Sequence, residues 1–125
     1  MKFSEDVDSK HRLITAYGDD FISVDEQRFG HPLVLTETQP PQRWAPSDIA
    51  TLAADDLDVL LVDTPDIVII GTGMRQQFLP LALLHHIMQH GIGCEVMNTP
   101  SACRTWNIVV AEGRRVAAGL IVGER

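Results

Sequence analysis

The second half of the chain alternates between short apolar runs and helix-like segments, and this alternation restricts the fold more than any other feature. Asp66-Ile67-Val68-Ile69-Ile70 is a β-branched run of the kind found in strands covered on both faces. It ends in Gly71-Thr72-Gly73. A helix is predicted next, with Pro80 at its first position, where a missing N–H is harmless, and Gly91 as C′ after a last turn near His90. Gly93 to Met97 reads as a second strand. Thr99-Pro100 reads as N-cap plus N1 of a helix reaching about Glu112 and closed by Gly113, and Val116 to Val122 as a final strand. Strand, helix, strand, helix, strand implies βαβ crossovers and a largely parallel sheet.

The first half has a different texture. Leu13, Thr15 and Tyr17 alternate with Ile14 and Ala16, and Gly18-Asp19-Asp20 supplies a turn. Phe21, Ile22 and Val24 follow, and Phe29-Gly30 precedes the apolar run Pro32-Leu33-Val34-Leu35. Short runs between turn residues predict an antiparallel meander. Gln39-Pro40-Pro41-Gln42 marks a connector. A helix is predicted to start near Ser47 or Asp48, with Ile49, Leu52 and Ala53 as its buried stripe. Asp55-Asp56 would oppose the macrodipole at a helix C-terminus, so the helix is expected to end or distort there. Val59-Leu60-Leu61-Val62 fits either a strand or a last helical turn.

The predicted whole is a three-layer α/β domain, with N-terminal antiparallel strands and a C-terminal βαβαβ, largely parallel half. At 125 residues it is expected to form a single domain over 1–125, with 1–10 as a polar lead-in. A net charge of −7 argues against nucleic acid as a general partner. The two cysteines, Cys94 and Cys103, make neither a disulfide framework nor a structural zinc site. Residues 1–10 carry Glu5, Asp6 and Asp8 and lack the apolar core of a signal peptide, and no apolar stretch is long enough to span a bilayer. A cytoplasmic, not membrane-spanning protein is the expectation.

In parallel sheets ligands gather at the carboxyl ends of the strands. Here that rule selects Gly71, Thr72 and Gly73 after one strand and Asn98 and Thr99 after the next. If the two strands are parallel, both loops share an edge, and the helix opening at Pro100 points free N–H groups at it. Thr72, Thr99, Ser101 and Arg104 would add donors, with Asn107 one turn on. The alternative is that the glycines serve only tight turns: the third glycine of the dinucleotide fingerprint is missing, and no Gly-Lys-Ser/Thr follows. Cys103, in the first turn of a helix beside Arg104, is the candidate nucleophile, although its neighbours Ala102, Trp106, Val109 and Val110 form the apparent core stripe. Glu95 is an acid within a strand, either an acid–base group or a structural tie to Arg104, Arg114 or Arg115. Cys94 reads as packing, and Trp44 and Trp106 as core or interface anchors. His86 and His90 have i, i+4 spacing but sit with His85 and Gln89 on a predicted polar arc opposite Leu81, Leu84, Ile87 and Met88, so they read as a solvated face and no metal is expected.

Ile69-Ile70-Gly71-Thr72-Gly73, Gly91 to Met97, Thr99, Ala102-Cys103-Arg104-Thr105-Trp106-Asn107 and Glu112-Gly113-Arg114 together closely resemble a small family of domains of unknown function that includes a mitochondrial assembly factor for respiratory complex I. The resemblance runs from Arg12 onward and is strongest after Ile67; the family pattern usually has Tyr or Phe in place of Trp106 and commonly Asp in place of Asn98. It implies a three-layer α/β fold without established catalysis. For the mitochondrial relative it implies assembly of a membrane complex through protein contacts. The leading reading is therefore a non-catalytic protein-interaction or assembly domain with a protein partner and no cofactor. The alternative is a small-molecule enzyme using Cys103 or Glu95 at the same edge. A homo-oligomer formed for its own stability is the third reading.

Overall fold

The computed structural model describes residues 12–123; the expected lead-in over 1–10 lies outside them. Strands β1 (Ile14–Gly18), β2 (Phe21–Val24) and β3 (Gln27–Phe29) form a small antiparallel sheet in that order. Its two hairpins turn on Asp19-Asp20 and Asp25-Glu26. Asp25 and Glu26 both lie at positive φ (50° and 71°), the two-residue geometry whose twist matches paired strands.

The main sheet is five-stranded, with strands β4 (Leu33–Leu35), β5 (Gln42–Arg43), β6 (Ile67–Gly71), β7 (Gly93–Met97) and β8 (Val116–Leu120) in the order β5-β4-β8-β6-β7. β6 runs parallel to both β7 and β8, and β4 is antiparallel to β8 and β5. Helices α1 (Ala54–Leu61), α2 (Leu81–Met88) and α3 (Thr99–Ala111) cover the sheet. α3 packs on one face together with β1 and β2, through Trp106, Val110, Ile14 and Ile22 against Ile69, Ala118 and Leu120. α1 and α2 pack on the other, through Leu57, Leu60, Leu83 and Ile87 against Val68, Ile70 and Ala117. Ile67–Gly71 is buried at every position, as its unbroken apolar run requires.

The predicted 47–56 helix is corrected. Asp48 does cap, its Oδ1 accepting from Thr51 N at 3.0 Å, but only a 3-10 turn follows at Ile49–Thr51. The α-helix starts where the sequence reading ended it. Asp55 and Asp56 lie in the first turn of α1, where the positive end of the macrodipole favours them, and Asp56 Oδ2 accepts from Ala53 N at 2.9 Å. The acids that argue against a C-terminus are the signature of an N-terminus. Pro80 precedes α2 as its N-cap, and its carbonyl accepts from Leu83 and Leu84 N.

Both tryptophans anchor the core. Trp44 is 2% exposed, donates from Nε1 to Asp56 O at 3.0 Å, and lays its ring over Gly119 in the centre of the sheet. A Cβ at Gly119 would meet Trp44 ring carbons at 2.5–2.7 Å. Gly119→Ala is therefore expected to destabilise the fold by about 1–3 kcal/mol through overpacking, measured as a lower urea midpoint with an unchanged slope.

Candidate functional site

The shared edge inferred from sequence exists. Gly71 and Met97 are in register at the carboxyl ends of parallel β6 and β7, so the two loops leave side by side. They are then bonded to each other. Thr72 N donates to Met97 O at 2.8 Å and Thr99 N to Gly73 O at 2.7 Å. The Thr99 hydroxyl accepts from Gly73 N at 2.8 Å and donates to Ile121 O at 2.7 Å, joining the ends of β6 and β8 to the start of α3. Gly71 is needed for this closeness: a Cβ there would lie 2.9 Å from Thr99 Oγ1 and 3.0 Å from Leu120 Cδ2. Gly73, at φ 101°, takes a conformation that side chains disfavour. Thr72 folds the next loop, donating to Arg75 O at 2.7 Å and accepting from Gln77 N at 3.1 Å.

Five of the eight predicted binding residues thus build the rim. Gly71, Thr72, Gly73 and Thr99 are buried within it, and Asn98 rather than Thr99 is the N-cap of α3, accepting from Ser101 N at 2.8 Å. That correction follows from capping chemistry: the Asn98 carboxamide fills the N-cap position, which frees Thr99 to reach across the sheet. Asn107 is a clamp, with Nδ2 donating to Ile14 O and Oδ1 accepting from Ile14 N, so it holds β1 against α3. Ser101 and Arg104 remain at the surface. Arg104 Nη1 donates to Tyr17 Oη at 2.6 Å and Nη2 to Ser101 Oγ at 3.2 Å, with the guanidinium 6.0 Å from the Tyr17 ring centre. Tyr17 was not singled out in the sequence, because the pairing spans 87 residues and leaves no local signal.

Cys103 faces the core with no exposure. Burial pushes its thiol from an ordinary 9.0 up to about 12, with Arg104 pulling weakly the other way. Such a group is neither accessible nor a thiolate at neutral pH. Burial likewise raises the Cys94 thiol to about 11, with the Glu95 charge adding to the effect. The covered-strand premise for Glu95 is corrected: β7 is an edge strand and Glu95 is exposed on it. Among the described residues no ion pair joins it to Arg104, Arg114 or Arg115; Arg115 lies 3.6 Å from Asp66 instead. His86 Nε2 lies 2.7 Å from Asp58 Oδ1. A cavity of about 230 Å³ opens at the other end of the sheet, bounded by Thr36, Glu37, Leu60, Asp63, Arg115 and Val116. It draws on separate segments and carries no motif by which sequence could have flagged it.

On α2 the predicted polar arc is solvated, with His85, Gln89 and His90 exposed and His86 half-buried, but the apolar stripe expected opposite it is corrected. Leu83 and Ile87 face the sheet, while Leu81 (82% exposed) and Met88 (54%) point outward with His85. In the preceding loop Phe78 is 90% exposed and Met74 41%. The large apolar side chains, not the histidines, mark this side as unusual.

Fold and rim define the class: a three-layer α/β domain whose parallel strand ends are closed by loop-to-loop bonds. A crystal structure of a protein from Bordetella parapertussis has the same architecture, at TM-score 0.85 and 34% identity over 90% of this chain and 96% of that one. The chain belongs to the family of proteins of unknown function termed DUF498/DUF598, whose pattern matches residues 14–121. It is 34% identical over 94 residues to the "13 kDa major membrane protein" of Francisella tularensis subsp. holarctica, covering 74% of this chain and 76% of that protein. It is 44% identical over 62 residues to human NADH dehydrogenase (ubiquinone) 1 alpha subcomplex assembly factor 3, covering 50% of this chain and 34% of that protein. The matched part thus spans about a third of the human protein's length.

Two expectations follow. Thr99→Val keeps the shape but strands Gly73 N and Ile121 O, and should lower stability by about 2–4 kcal/mol in chemical denaturation. Cys103 should resist iodoacetamide in the native protein at pH 8 and react only on unfolding. Because the folded chain holds the thiol proton more tightly than the unfolded one, this contribution to stability is intact below pH 9.0 and is lost as pH rises toward about 12.

Proposed function

We propose that the chain is a non-catalytic protein-interaction domain of the assembly-factor kind, holding a protein partner at the carboxyl-end rim of its parallel strands. The observation that carries this reading is the held arginine. An exposed Arg samples many rotamers, and fixing one opposes considerable side-chain entropy. Here Arg104 is bound by Tyr17 from another sheet and by Ser101 from its own helix, on a base fixed by Thr99. Arg104 is exposed, and its remaining N–H donors suit a carboxylate or carbonyl on a partner surface. Arginine and tyrosine are also the residue types that recur at the energetic centres of interfaces.

The human relative's name makes that protein an assembly factor, which agrees with this reading, and the Francisella relative's name makes that one a membrane protein. Among the described residues no helix is long and apolar enough to cross a membrane. A location on the cytoplasmic side, in contact with membrane-bound partners, satisfies both. The enzyme alternative has less to rest on, since Cys103 is buried and Glu95 stands on an open strand edge.

The test is quantitative cross-linking and co-purification from the native host, comparing wild type with Arg104→Ala and Arg104→Lys. Proteins recovered with wild type should fall about tenfold or more with Arg104→Ala, and only partly return with Lys, which lacks the planar fork. Recovery that is unchanged in both variants, with unchanged thermal unfolding, would remove this proposal.

A further inference from the structure

We propose that the outer face of α2 and the loop before it, through Met74, Phe78, Leu81 and Met88, dock on the surface of a lipid bilayer. The face lies on the α2 side of the sheet, apart from Arg104 on the α3 side. The first ground is the helix itself. Leu81-Ala82-Leu83-Leu84-His85-His86-Ile87-Met88 is apolar almost all round, a pattern expected of a helix covered on both sides. Only Leu83 and Ile87 are buried; Leu81 and Met88, seven residues apart and so on one stripe, are open. Phe78, just before the helix, is almost wholly exposed.

The second ground is charge. The chain holds 17 Asp and Glu and a net charge of −7, yet none of the acids falls between Ile67 and Cys94. That stretch contains the whole exposed apolar face. Its one formal charge is the cation of Arg75, itself exposed beside Met74, and His85 is exposed on the open stripe. Asp58 of α1 faces His86 on the flank of the helix. An anionic surface would therefore repel most of this molecule and spare this face, and so orient it.

The third ground is shape. These side chains protrude from a loop and a helix ridge, whereas two apolar-lined cavities among the described residues are bounded by α1, β4, the start of β8 and the 36–42 connector. A protein partner would need a matching cleft. A headgroup–acyl boundary accepts a convex apolar ridge without one.

The experiment is flotation of the full chain with unilamellar vesicles of phosphatidylethanolamine and phosphatidylglycerol, and in parallel with phosphatidylcholine vesicles. Wild type should float with both, and no better with the anionic ones, since one arginine on the face does not offset a net charge of −7. Phe78→Ser/Leu81→Ser should reduce the floating fraction by at least about tenfold, with unchanged circular dichroism and thermal unfolding. Failure of wild type to float overturns the inference, as does equal flotation of the double variant. Flotation with the anionic vesicles alone overturns it as well, by assigning binding to charge instead of to the apolar face. A concentration-dependent dimer that the double variant abolishes, without flotation, assigns the face to a second copy instead. Arg104→Ala leaves flotation unchanged, so this inference and the protein-partner reading fail separately.

Discussion

The hydroxyl of Thr99 is the point on which the rest of the structure depends. It is 5% exposed, accepts from Gly73 N and donates to Ile121 O, and so uses both its roles in the dry interior where they count most. Three adjacent parallel strands end around it: β6 through Gly73, β8 through Ile121, and β7 because Thr99 begins the helix that follows it. Parallel strands depend on crossover connections to stay aligned. Here the far ends are also tied directly, and Gly71 permits it by having no side chain between Thr99 and Leu120.

The helix that starts at this tie positions the N-terminal part. Within about one turn of α3, Arg104 reaches Tyr17, Trp106 Nε1 donates to Arg12 O at 2.6 Å, and Asn107 brackets Ile14. The small sheet thus hangs on one face of one helix, and it shares a continuous apolar core with the main sheet through Ile14, Ile22 and Val24. Rim and small sheet are therefore mechanically linked. A disturbance at Thr99 would move the start of α3 and with it the Tyr17 contact that fixes Arg104.

What sequence could reveal follows from the range of the interactions involved. Strands β6 and β8 were legible because burial on both faces imposes apolar runs, and Gly91 and Gly113 stand at positive φ after α2 and α3 as helix ends require. The side-by-side rim was legible because topology alone dictates it. Local rules failed where two readings shared one pattern. Asp55-Asp56 fits the far side of a helix start as well as a disfavoured end, and the wheel of α2 has apolar residues all round, so it cannot say which face turns inward. The roles of Thr99, Asn107 and Tyr17 were illegible, because each acts on a residue 22, 93 or 87 positions away. Cys103 shows the same competition resolved by packing: helix position and Arg104 favour a thiolate, and the core around it overrules both.

These assignments bear on what the rim can do. A catalytic edge needs polar groups held in place but left uncommitted, so that they can exchange partners with a substrate as charge develops. At this edge Thr72, Asn98, Thr99 and Asn107 are already engaged with the backbone. Releasing any of them would break a bond that closes the fold. Arg104 differs: its two recorded bonds are at the surface, and a guanidinium has five N–H donors. On the proposed reading, rigidity beneath and the spare donors of Arg104 above serve to hold a partner, while the other polar groups of this edge stay committed to the bonds that stabilise the fold.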